Sequence, residues 1–204
     1  MKIPKKIRVG GIDYKIIIKE RFKDDADTWG GCKNDLAKIE LVTMNDSKKL
    51  ANCIFLSNLF HELCHAIDGV YCGQSMSENV IEKIETFWFQ ILSDNNLFIG
   101  KEGLPNKIRI QGRSYKVITN HKFDCVDGNP SVSISLSDLK IKCVGGINKE
   151  VLKRNLIVCI MMHIVGSNLF SDEERNEILI ESFCSGLYQV LKDTKLNDLI
   201  RGIC

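Results

Sequence analysis

The stretch IPKKIRVGGIDYKII at residues 3–17 returns half a chain later as LPNKIRIQGRSYKVI at residues 104–118. Pro4, Lys6, Ile7, Arg8, Gly11, Tyr14 and Lys15 reappear as Pro105, Lys107, Ile108, Arg109, Gly112, Tyr115 and Lys116. The closing segments correspond as well: WFQILSD, Trp88 to Asp94, faces LYQVLKD, Leu187 to Asp193. Chance likeness between two hairpins does not bring matching ends at a near-constant interval. The sequence therefore reads as an internal duplication, with units at 1–100 and 101–204 joined near Gly100 to Gly103.

Each unit has one plan. Two short strands surround a two-residue turn, Gly10-Gly11 and Gln111-Gly112, where glycine supplies the positive φ of a hairpin. A further strand is predicted over Lys38 to Val42 in the first unit and over Ser131 to Leu136 in the second. Helices are predicted from Ser47 to Asp68 and from Lys149 to Val165, and closing helices from Ser77 to Asp94 and from Asp172 to Asp193. Strands followed by helices give an α+β class, each unit a small antiparallel sheet followed by two main helices. Ser75 with Glu78, and Ser171 with Glu174, have capping-box spacing. Gly69 stands where a helix C-terminal glycine is common.

Composition narrows the function classes. Among 204 residues the net charge is +2, with both signs interspersed, so no basic footprint for nucleic acid is present. The longest apolar run, Leu156 to Met162, is short of the ~20 residues that span a bilayer. Met1 to Lys6 lacks the apolar region of a signal peptide, and a cytoplasmic protein is expected. The nine cysteines are odd in number and form no Cys-x-x-Cys pair, which favours reduced thiols. Cys53, Cys64, Cys159 and Cys184 fall among apolar helical residues, as small hydrophobes do.

The chemistry concentrates in His61-Glu62-Leu63-Cys64-His65. Histidines four apart on a helix stand above one another and can bind one Zn2+, with the intervening glutamate as general base. On a helical wheel Leu59, Phe60, Leu63 and Ile67 form a core face, and His61, His65 and Asp68 a separate stripe. Asp68 is placed to orient a ligand histidine. Tyr71 is a candidate donor to a developing oxyanion, and Cys72 a weak alternative ligand. Cys64 is not expected to act as a nucleophile. A third protein ligand is required. Metzincins place glycine and histidine where this chain has Asp68 and Tyr71, which excludes that class. The closing helix offers Glu78, Glu82 and Glu85 on one stripe, and periodicity does not choose among them. Trp29 to Cys32 reads as a loop, with an edge strand for an extended peptide as the alternative.

A hairpin, a helix ending HELCHAID, a short loop and a helix opening Ser-Glu-x-x-x-Glu together resemble small phage and mobile-element zincins, akin to the ImmA/IrrE-type metallopeptidases. The resemblance covers the first half and implies tandem minimal zincin-like units. It implies a third ligand from a helix pattern Glu-x-Leu-Ala-x-Gly-Leu, which here falls on Glu82 to Trp88 and assigns Glu82. Glu85 and Phe87 depart from that pattern and keep Glu85 open. The implied activity is zinc-dependent hydrolysis of a protein or peptide substrate, with Glu62 catalytic and His61, His65 and Glu82 on the metal. The second unit has no HExxH. His163 aligns with His65 across a small gap and His121 reads as a loop residue; no metal is expected there. Its expected roles are a pseudo-dimer partner or a substrate-recognition element. The alternative for the whole chain is a non-enzymatic protein-binding module on an inactive zincin scaffold.

Overall fold

The computed structural model describes residues 3–22, 28–45, 48–95, 97, 104–121, 132–166, 170–171, 174, 176–194 and 196–201. The first half holds β1 (Lys6–Val9), β2 (Ile12–Lys19), β3 (Gly30–Lys33), β4 (Lys38–Val42), β5 (Met44–Asn45), β6 (Lys48–Lys49), α1 (Asn52–Ile67) and α2 (Glu78–Asp94). The second holds β7 (Lys107–Ile110), β8 (Arg113–His121), β9 (Val132–Ser135), β10 (Lys140–Val144), α3 (Lys149–Val165), α4 (Glu177–Asp193) and α5 (Leu196–Arg201). The chain is mixed α+β, with small sheets and five helices among the described residues.

The two larger sheets share one topology, β1-β2-β4-β3 and β7-β8-β10-β9. In each, the first and last neighbouring pairs are antiparallel and the central pair is parallel. The expected antiparallel sheet is therefore mixed. The second hairpin docks on β2 or β8 through its later strand, which runs the same way as its new neighbour. The turn residues behave as their sequence demands: Gly10, Gln111 and Gly112 all have positive φ. Cross-strand charge ties the first sheet, where the carboxylate of Glu40 on β4 meets Lys19 of β2 at 2.9 Å and Lys33 of β3 at 3.2 Å.

Several boundaries shift from expectation. The β5–β6 pair precedes α1, so that helix starts at Asn52, not near Ser47. Asn176 caps α4 by accepting from the N–H groups of Ile178 and Leu179, so that helix starts at Glu177, not near Asp172. Ser171 and Glu174 do exchange side chain–backbone hydrogen bonds, but ahead of the helix. Ser77 is the N-cap of α2, while the Ser75 hydroxyl donates to the Cys72 carbonyl. Gly69 does not end α1. A π-helical turn over Asp68–Cys72 follows, and Gly73 ends it in the left-handed region. His121 ends β8 rather than lying in a loop. Cys53 is exposed, not packed as an apolar residue. The seven described cysteines are free thiols; Cys125 and Cys204 lie outside the described residues, as does the expected junction at Gly100 to Gly103. No helix is long and apolar enough to cross a membrane.

The two halves share one buried core. Helix α1 packs on β3 and β4, and α3 on β9. Across the halves, α4 reaches α1, the π-helical turn and β1, and α2 meets α5 and β7. Trp88, fully buried, directs its indole N–H to the Met161 sulfur at 3.4 Å. The Asn95 side chain donates to the carbonyls of Ile91 and Arg109 and accepts from the Arg109 N–H. Lys83 pairs with Glu174 at 2.9 Å.

Candidate metal centre

Helix α1 buries Phe55, Leu56, Leu59, Phe60, Leu63 and Ile67 against the sheet and neighbouring helices. That packing fixes the rotation of the helix, and the 3.6-residue repeat then presents His61 and His65 side by side to a cleft of about 430 Å³. Their Nε2 atoms are 3.1 Å apart. The Glu78 carboxylate completes the group, one oxygen 3.0 Å from His61 Nε2 and the other 3.1 Å from His65 Nε2. Three lone-pair donors thus converge on one point, an arrangement that calls for a cation or shared protons between them. Tetrahedral zinc with bonds of ~2.0–2.1 Å spaces its ligand atoms ~3.3 Å apart, and these separations fit one face of such a site. His61, His65 and Glu78 are the group able to hold a metal ion among the described residues.

The carboxylate brought to the histidines is therefore that of Glu78, whereas the family pattern assigned Glu82. Glu78 is the first residue of α2, and the loop 73–77 delivers that first turn to the cleft. Glu82, one turn further along, is exposed. Glu85 points to α1 instead, where it accepts from the Ser57 hydroxyl. Burial raises its carboxyl, and the bond from Ser57 opposes the rise.

The loop is set by Asp68. Its carboxylate is buried and accepts the Met76 N–H at 3.3 and 3.4 Å, and its backbone carbonyl accepts the Gln74 N–H. Sequence reasoning expected Asp68 to orient a histidine; its hydrogen bonds go to the backbone leading into α2. Gly73 and Gln74, with φ of +66° and +59°, reverse the chain. Burial raises the Asp68 carboxyl, while the backbone N–H groups of Met76 and Ser75 oppose the rise.

Glu62 faces the same cleft and is buried. Desolvation, then the negative charge of Glu78, push its carboxyl up to about 7, against the opposing Cys32 backbone N–H bond. That bond comes from β3, the edge strand of the sheet. The stretch around Gly30 and Cys32 is thus a strand and not the loop expected of it. A Cβ at Gly30 would lie 2.6 Å from a Glu62 carboxylate oxygen, so only glycine lets the strand come this close. Asn34, next along the chain, accepts from the Tyr14 hydroxyl at 2.9 Å and donates to the His65 carbonyl at 3.4 Å. Its side chain occupies the space that a Cβ at Gly69 would need. No motif marked Asn34 or Gly30, and their signal lies only in contacts across the fold.

Other candidates fall elsewhere. The Tyr71 ring lies against Gly10 and Gly186, outside the cleft lining. The Cys72 thiol is directed to the Leu179 carbonyl. Cys64 is fully buried, which raises its thiol well above the usual range. His163 sits beside Tyr115, its Nε2 3.4 Å from the phenol oxygen. No protein-family model, curated protein or solved structure matches the chain.

Proposed function

We propose that this chain is a zinc-dependent metallopeptidase, with His61, His65 and Glu78 holding the metal and Glu62 as general base. The observation that carries this is the convergence of three ligand atoms beside a buried glutamate in one polar cleft. Zinc bound there supplies a Lewis acid for carbonyl polarisation and water activation. Glu62, buried and facing the same cleft, is placed to accept a proton from the attacking water and return it to the departing amine. Gly30 and the Cys32 N–H hold that carboxylate in place. The free edge of β3 offers backbone groups to an extended substrate chain.

The strand order repeated between the halves, with the repeated hairpin sequence, supports a tandem duplication of a zincin-like unit, in which the second copy serves as a pseudo-dimer partner. The resemblance to phage and mobile-element zincins favours a cytoplasmic enzyme with selected protein targets. The test is emission spectrometry on protein purified with zinc, followed by proteolysis assays. About one zinc per chain is expected, lost in His61→Ala. Glu62→Gln should keep the metal and lose hydrolysis. Protein that takes up no zinc would falsify the catalytic reading and leave the binding-module alternative.

A further inference from the structure

All the ligands lie in the first half, yet the turn that connects them is gripped from the second. The π-helical turn Asp68–Cys72 joins the helix carrying both histidines to the loop that ends at Glu78. On one side it meets the β1–β2 turn, where a Cβ on Gly10 would lie 2.8 Å from Val70 Cγ1. On the other it meets α4, where a Cβ on Gly186 would lie 2.6 Å from Tyr71 Cδ2 and 2.7 Å from Ile67 Cγ2. Glycine inside a helix is unfavourable by itself, so its place in the middle of α4 is explained by this close approach. Gln189, on the same helix, ties the two sides together. Its Oε1 accepts the Gly10 N–H at 2.7 Å and its Nε2 donates to the Arg8 carbonyl at 3.3 Å. The Cys72 thiol adds a contact of 3.5 Å to the Leu179 carbonyl of α4.

We propose that α4 is a positioning element of the metal centre, with Gly186 and Gln189 as positioning residues. They fix the π-helical turn, the turn fixes the Asp68 carboxylate, and Asp68 fixes the backbone that presents Glu78. Metal ligation tolerates errors of only ~0.2 Å in ligand distance, so a small displacement of the turn is felt at the site. This rests on reading His61, His65 and Glu78 as ligands.

The test titrates the full-length chain with zinc against a chromophoric chelator, and records the visible spectrum of the cobalt-loaded protein. Gly186→Ala should weaken zinc binding by roughly 10- to 100-fold, as loss of an outer-shell support does, and alter the cobalt bands. Gln189→Leu, with Gln189 half-buried, should do so by a few-fold. Ile141→Ala, in the second sheet, should lower the melting temperature but leave zinc affinity and the cobalt spectrum unchanged. The proposal is overturned if folded Gly186→Ala or Gln189→Leu binds zinc like the parent with the parent's spectrum. It also fails if Ile141→Ala weakens zinc as much as Gly186→Ala. Should Gly186→Ala not fold, Gln189→Leu decides. A parent protein that binds neither metal removes the ligand reading and this proposal together; a parent that binds zinc beside unaffected variants removes only the proposal.

Discussion

Glu62 is held uncharged by its surroundings up to about pH 7, and this has a thermodynamic signature. In metal-stripped protein the folded chain keeps that proton between its ordinary value of 4.5 and about 7, where the unfolded chain has released it. Stability should therefore rise as pH falls through 7, with the gain complete below 4.5. The gain is up to about 3 kcal/mol at 1.36 kcal/mol per pKa unit. Glu62→Gln should remove this slope, while the slope from His65 remains in both proteins; urea unfolding across that range measures the difference. The same scale separates the candidate ligands. Glu78→Ala should weaken zinc beyond the 10–100-fold typical of an outer-shell loss, and Glu82→Ala should change it little. Equal losses in a chelator competition would reject the assignment of Glu78. Sequence alone gave the histidine pair and Glu62, because helical spacing fixes their face. It offered Glu78 only beside Glu82 and Glu85, because which turn of α2 meets α1 depends on the π-helical turn, which has no sequence signature here.

Helix α1 was legible from apolar periodicity, α3 from the repeat, and the hairpins from their glycine turns. Strand β3 was not: Gly30-Gly31-Cys32-Lys33 has no alternation and weak strand preference, and only its pairing with β4 makes it a strand. Yet this strand holds Glu62, the proposed base. Gly30→Ala should push the Glu62 carboxylate out of place, lowering peptide hydrolysis about 100-fold, the lower end of the range for general acid–base catalysis. Zinc content should hold, since the atoms nearest a Cβ at Gly30 all belong to Glu62. Loss of zinc and activity together would mean that β3 supports the ligands as well as the base. The mixed sheet was also beyond reach, because repeated hairpins do not reveal which strand of the second joins the first.

The repeat in the sequence foretold two similar sheets but not their shared core. Trp88 against Met161, Tyr71 against Gly186 and Asn95 across to Arg109 are pairings between the halves that a one-dimensional comparison does not contain. Residues 1–100 expressed alone should lack a cooperative thermal transition and bind a hydrophobic dye, having lost the cover of α4 and α5. A monomeric fragment that melts sharply and takes up zinc would refute this dependence. The full chain should melt in one transition. The shared core also has a consequence for biosynthesis. His61, His65 and Glu78 leave the ribosome well before α4 and α5 do. At ~5–20 residues per second, on the order of ten seconds pass before the helices that support the centre exist. The nascent chain therefore carries the candidate ligands before the helix that packs beside them, and the cleft takes its final form only once α4 has emerged and docked.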